Sequence, residues 1–150
     1  MYMTKIYLAG PMSGIPQFNF PAFYAAAKAL RAVGFEVVSP AEMDDEEDSG
    51  AALKSTDGDV NDRTVVKKTW GEFLARDVKL LADTGIQGIV FLPGWQKSKG
   101  AKLEAYVGLI QNFLFWTFEN GSAIAHPARY VLDNIYADIE DKLVKAAVSI

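Results

Sequence analysis

The sequence predicts a single-domain α/β protein of Rossmann-like (flavodoxin-like) type, a doubly wound parallel sheet with helices on both faces. Three observations predict it. Short apolar runs end abruptly at glycine or proline, amphipathic stretches of helical period separate them, and 150 residues suit one hydrophobic core. Alternating strands and helices favour a parallel sheet covered on both sides, and the ligands of such sheets sit beyond the carboxyl ends of the strands.

Lys5–Ala9 reads as a buried first strand because it is short, mostly apolar and followed at once by Gly10-Pro11. The loop Gly10–Gln17, with two glycines, two prolines and a serine, allows a turn with exposed backbone amides. From Asn19-Phe20-Pro21, the residues Phe20, Phe23, Tyr24, Ala27, Leu30 and Val33 recur at helical spacing, with Gly34 just past the end. Phe35–Ser39 is a second strand, stopped by Pro40. The acidic stretch Glu42–Asp48 is too charged for a core, and the chain through Lys68 reads as a solvated loop in which Asp62-Arg63 caps a short turn. Trp70–Ala82 is amphipathic, with Trp70, Phe73, Leu74, Val78 and Leu81 on one face. Gly88–Leu92 is the next strand, ended by Pro93-Gly94, and Gly100-Ala101 opens a helix through Leu103, Val107 and Ile110. Phe113–Phe118 is apolar enough for either a central strand or a subunit interface. After the turn Glu119–Ser122, the segment Ala128–Ala147 reads as helix.

Composition removes several kinds of chemistry. Without cysteine there is neither a disulfide framework nor a thiolate metal site, and the single His126, beside Pro127, argues against a histidine-rich zinc centre. Fifteen basic residues against 19 acidic ones, a net charge of −4, give no overall attraction to a nucleic acid polymer. No segment has the roughly 20 unbroken apolar residues of a membrane span, and the first residues lack a signal-peptide layout, so the expectation is a cytoplasmic protein.

Two loops fall at the carboxyl edge of the expected sheet: Gly10–Gly14, and Pro93–Ala101 with Ser98 between Lys97 and Lys99. The second combines a hydroxyl, lysines and the amino end of a helix, where backbone amides and the helix dipole can hold one phosphate. Glu104 lies one turn further along that helix. The loop lacks the Gly-Lys-Ser/Thr of a Walker A motif and the Gly-x-Gly-x-x-Gly of a dinucleotide turn, which leaves nucleoside triphosphate hydrolysis and nicotinamide binding unsupported. On spacing alone a surface glutamate on a solvated loop fits equally well.

Three segments together resemble the nucleoside 2-deoxyribosyltransferase-like superfamily: Lys5–Gly14 (KIYLAGPMSG), Arg76-Asp77, and Leu92–Glu104 (LPGWQKSKGAKLE). The likeness covers about residues 4–115 and is nearest to a branch frequent in phages. It implies that Glu104 is the nucleophile attacking the anomeric carbon of a (deoxy)nucleoside or nucleotide, without metal or organic cofactor. Six positions earlier, base-exchanging relatives tend to carry aspartate, whereas those that hydrolyse nucleoside 5′-monophosphates tend to carry a phosphate-touching serine. Here that residue is Ser98, so the resemblance implies a monophosphate N-glycosidase, with base transfer as the nearest alternative and non-catalytic nucleotide binding as a third. It also aligns Asp77 with a second acidic residue, aligns Tyr7, Gly10, Ser13 and Gly14 with the first-strand loop, and implies a homo-oligomer. The family's usual Glu-Leu-Gly is Glu104-Ala105-Tyr106 here, and the acidic insertion before Trp70 is a further departure.

The chemistry stands on its own terms. N-glycosidic cleavage passes through an oxocarbenium-like state, so a carboxylate beneath C1′ stabilises positive charge or forms a covalent glycosyl-enzyme. The departing base needs a proton, for which a carboxyl of raised pKa is suited, and Asp77 is the candidate, or else it orients Glu104 or the sugar. Ser98, Ser13 and the amides around Gly100 would fix the phosphate. Against these roles stand plain structural ones. Asp77 could simply pair with Arg76 or Lys79, Tyr7 could be a core tyrosine, and Trp95 is either a lid stacking on the base or a loop anchor.

Overall fold

The computed structural model describes residues 3–43 and 46–148. Among these residues five strands, β1 (Lys5–Ala9), β2 (Glu36–Val38), β3 (Gly88–Phe91), β4 (Leu114–Glu119) and β5 (Ser122–His126), form one sheet in the order β2-β1-β3-β4-β5. The first four run parallel, with Ile6 opposite Val37 and Gly88, and Gly88 opposite Leu114. The expected all-parallel sheet is corrected at one edge, because β5 pairs antiparallel with β4. Between them Asn120 and Gly121 both take positive φ, 50° and 79°, which is the geometry of a two-residue hairpin turn whose twist matches that of the strands.

Among the described residues five α-helices flank the sheet: α1 (Phe20–Ala32), α2 (Glu46–Leu53), α3 (Trp70–Asp83), α4 (Lys99–Ile110) and α5 (Ala128–Val148). Alternation along β1 divides the core. Ile6 and Leu8 join Phe23, Ala27 and Leu30 of α1, whereas Tyr7 and Ala9 join Leu81 of α3, Ala101 and Ala105 of α4, and Val131 of α5. Helices thus cover both faces, as a sheet of parallel strands buried on each side requires. Thr69 caps α3, its hydroxyl accepting from the Glu72 amide at 3.1 Å while Glu72 Oε2 accepts from the Thr69 amide at 2.7 Å. This reciprocal pair satisfies amides that the first turn leaves open.

The stretch expected as a solvated loop through Lys68 is more structured than its charge suggests. It contains α2, and Ala52, Ser55, Gly58 and Val66 are buried. Asp62 does cap a turn, accepting from the Thr64 amide at 3.0 Å and the Thr64 hydroxyl at 2.6 Å. Of the acidic run, Asp44 and Asp45 lie outside the described residues. The insertion docks on the loop after β1. The Gly14 amide donates to Gly58 O at 2.8 Å, the Gln17 amide to Ser55 O at 2.8 Å, and Gln17 Nε2 to Leu53 O at 3.0 Å. The approach is so close that a Cβ on Gly58, whose φ is +67°, would lie 2.2 Å from Ile15 O.

Candidate active site

At the carboxyl ends of β1 and β3 a cavity of about 950 Å³ opens. This is the point in the 2-1-3 strand order where connections diverge to opposite faces, the usual crevice for ligands of such sheets. Tyr7, Gly10 and Ser13 reach it from β1 and its loop, Arg76 and Asp77 from α3, and Ser98, Gly100 and Glu104 from the β3 loop and α4. Residues about 100 positions apart in the chain are brought together because parallel strands deliver their carboxyl ends to one edge.

Ser98 is the N-cap of α4: its Oγ accepts from the Ala101 amide at 3.2 Å. That leaves the hydroxyl proton to donate outward, and the amides of Lys99 and Gly100 have no carbonyl within the helix to bond. One turn below, Glu104 is buried and its Oε2 has no hydrogen-bond partner. Asp77 is ion-paired with Arg76, Nε to Oδ1 3.0 Å, and the guanidinium also lies 5.3 Å from the centre of the Phe73 ring. Tyr7 is fully buried with its hydroxyl unpartnered, so it is both a core residue and a wall of the cavity.

A family model described as Domain of unknown function (DUF4406) matches residues 4–113. The chain belongs to that family. No curated protein matches it. Every residue lining the cavity falls within the span matched to DUF4406, and β4, β5 and α5 lie beyond it.

Two expected site residues of this DUF4406 domain are placed elsewhere. Trp95 is not on the cavity wall but in the core, 2% exposed and stacked on Phe91 with ring centres 4.1 Å apart. It is the loop anchor, not the lid: the turn after β3 folds its indole back over the sheet. The Gly14 amide is already committed to Gly58 O, and Gly14 does not line the cavity. His126 is structural, its Nε2 2.7 Å from Thr117 Oγ1 and its ring stacked on Tyr130. Sequence reasoning missed the apolar wall formed by Phe18, Phe20, Phe23, Val65, Val66 and Phe73. The helix-start signal at Asn19-Phe20-Pro21 was legible, but that it opens onto a cavity was not. Among the described residues no three His, Cys, Asp or Glu side chains are grouped to hold a metal.

Burial pushes the Glu104 carboxyl well above the ordinary carboxylate range, and the negative charge of Asp77 adds to the effect. The Tyr7 hydroxyl, close by but short of hydrogen-bond geometry, and the Arg76 charge pull the other way and do not cancel it. The Tyr7 phenol is raised too, by burial first and then by Glu104 and Asp77. With Arg76 against Asp77, the negative charge of the acidic pair is best borne on Asp77 and the proton on Glu104. Such a carboxyl can give up its proton to a leaving group, and once ionised it is a poorly solvated anion with strong attraction for a cationic sugar carbon.

Proposed function

We propose that the protein is a (deoxy)nucleoside 5′-monophosphate N-glycosidase, releasing free base and sugar phosphate without a metal or organic cofactor. One observation carries the reading: a buried carboxyl with an unpartnered oxygen lies in a cavity one helical turn from open amides and a serine hydroxyl. An anion at the amino end of α4, beside Ser98 and the lysines at 97 and 99, fixes the 5′ end. The sugar then lies along α4 toward Glu104, and binding of the remote phosphate is converted into alignment at C1′.

In the proposed reaction the C1′–N bond breaks with its electron pair leaving on the base. The Glu104 proton passes to the base through Asp77, and the Glu104 oxygen bonds to C1′. Water then adds its hydroxyl to C1′ and returns its proton to the freed carboxylate, which restores neutral Glu104. A second base in place of water would make the protein a deoxyribosyltransferase. The reading includes a cytoplasmic homo-oligomer, supported by Tyr136, Ile139 and Leu143 exposed along α5; light scattering showing only monomer would remove that part.

The test is incubation with each common ribo- and deoxyribonucleoside 5′-monophosphate, with chromatography for free base. Release is expected from the wild type and reduced on the order of a thousandfold or more in Glu104→Ala. Because the reactive form of Glu104 is protonated and its pKa is raised, kcat/KM should persist above the ordinary carboxylate range and fall as pH passes the raised value. Release only when a second base is added identifies a transferase. Nucleotide binding with no bond cleavage under either condition would sink the enzymatic reading in favour of a nucleotide-binding protein.

A further inference from the structure

The cavity has two chemically distinct ends. Walking up α4 from Glu104, the lining passes Ala101 and Gly100 to Ser98 and Lys97, the end suited to an anion. Walking up α3 from Asp77, it passes Leu74 and Phe73 to Trp70, positions three, four and seven residues back and so on one helix face. That second end continues onto Phe18 before α1, onto Phe20 and Phe23 of α1, and onto Val60, Val65 and Val66 of the insertion, members or neighbours of the core cluster around α1. The acidic pair stands where the two ends meet.

The apolar end is therefore a lobe cut into the hydrophobic core, and its furnishing is one-sided. Among the described lining residues there is no asparagine, glutamine, threonine or histidine, the neutral side chains that match the mixed donors and acceptors of a base edge. Asp48, Lys67 and Lys68 lie at the insertion side; Lys67 Nζ is already bonded to Arg63 O at 3.1 Å, and Lys68 Nζ lies 5.8 Å from the centre of the Phe73 ring, a cation that offers donors only and no acceptor. A bare base edge entering this lobe would exchange its water for a lining without neutral side chains that both donate and accept, which costs binding. A base whose edge is masked by hydrocarbon loses little and gains apolar burial, roughly fourfold in affinity per methylene. The volume, about 950 Å³, lies near the top of the range of about 300–1,000 Å³ for small-molecule sites.

We propose that the leaving group is a nucleobase enlarged by an apolar or aromatic substituent, selected by fit in the Phe23–Val65–Phe73 lobe and not by hydrogen bonds to its edge. The proposal rests on the glycosidase reading of the same site. A pocket of this kind rejects small polar differences weakly and rewards hydrocarbon, the reverse of a site built to read donors and acceptors.

The experiment compares 2′-deoxyadenosine 5′-monophosphate with its N6-benzyl derivative, measuring both base release and calorimetric binding. Wild type is expected to favour the benzyl compound at least tenfold in kcat/KM. Val65→Phe, which fills part of the lobe from the insertion, is expected to lower that ratio at least tenfold while thermal unfolding remains cooperative. Turnover of both compounds with equal efficiency overturns the lobe's role and leaves the glycosidase reading standing. No turnover, with the benzyl compound bound at least tenfold tighter, upholds the lobe and removes the glycosidase. Neither turnover nor binding of either compound overturns both.

Discussion

The loop after β3 and the loop after β1 meet over the same cavity, yet they are held there by different means. Pro93–Ser98 is fixed from within. Trp95, Lys97 and Ser98 donate to Leu92, Gly94 and Trp95 carbonyls at 3.0 to 3.3 Å, the Lys102 amide closes onto Ser98 O at 3.0 Å, and the Trp95 ring is sunk in the core. Gly10–Asn19 has internal bonds too, the Phe18 amide to Ile15 O at 2.9 Å and Asn19 Nδ2 to Pro11 O at 2.9 Å, but it is also tied from outside, since the amides of Gly14 and Gln17 reach Gly58 and Ser55, some 40 residues further along the chain. Three consecutive residues of this second loop, Gln17, Phe18 and Asn19, hold positive φ of 59°, 50° and 61°, a conformation that costs L-residues about 1–2 kcal/mol each. The Ser98 end of the cavity thus has a local scaffold, and the apolar end depends on tertiary docking.

That contrast can be broken from either side. Trp95→Ala removes the anchor of the self-contained loop and should cost about 3–5 kcal/mol of global stability, as large aromatic truncations do; urea unfolding measures it, and a loss below about 1 kcal/mol would contradict the anchoring role. Gly58→Ala attacks the docked loop, where φ +67° and the Ile15 carbonyl leave no room for a methyl group. Its expected cost is about 2–3 kcal/mol, mostly local. Hydrogen exchange at the Gly14 and Gln17 amides should accelerate roughly 30- to 150-fold, with β1 and β3 amides less affected. Unchanged exchange there would show that the docking bonds do not hold the loop. Ser98→Ala is the mildest, expected to lower stability by about 1 kcal/mol through loss of the cap, seen as a small fall in Tm. An unchanged Tm would mean that the cap is redundant.

The same contrast explains what the sequence makes legible. β1, α1, α3, β3 and α4 are readable because their hydrophobic period and their stops, Gly34 or Pro93-Gly94, are local signals that agree with the tertiary outcome. Ser98, Glu104 and Asp77 are readable as a cluster because strand polarity alone sends their loops and helix ends to one edge. The docking of residues 46–68 is not, since the buried residues there are few (Ala52, Ser55, Gly58 and Val66) and their partners are distant backbone groups with no sequence signature. β5 escapes for a different reason: as an edge strand it buries none of its residues fully and shows no alternation. Asn120-Gly121 was the available clue, since that pair favours a two-residue hairpin turn over a longer crossing. Trp95 misleads because a tryptophan in a glycine-flanked loop looks the same in sequence whether its ring faces a ligand or folds back on a strand.

The left-handed run at Gln17–Asn19 carries a consequence for anyone shortening the chain. Phe18 forms part of the cavity wall only while its backbone stays in that conformation, and the hydrogen bonds that compensate for it come from Leu53 and Ser55 in the insertion and from Pro11 and Ile15 in the loop. Excising the insertion would therefore take away more than its own valines. The stretch before α1 would relax to right-handed or extended geometry, withdraw a phenyl ring from the wall and leave a shallow dish where a pocket had been, unless glycines were supplied to keep the turn.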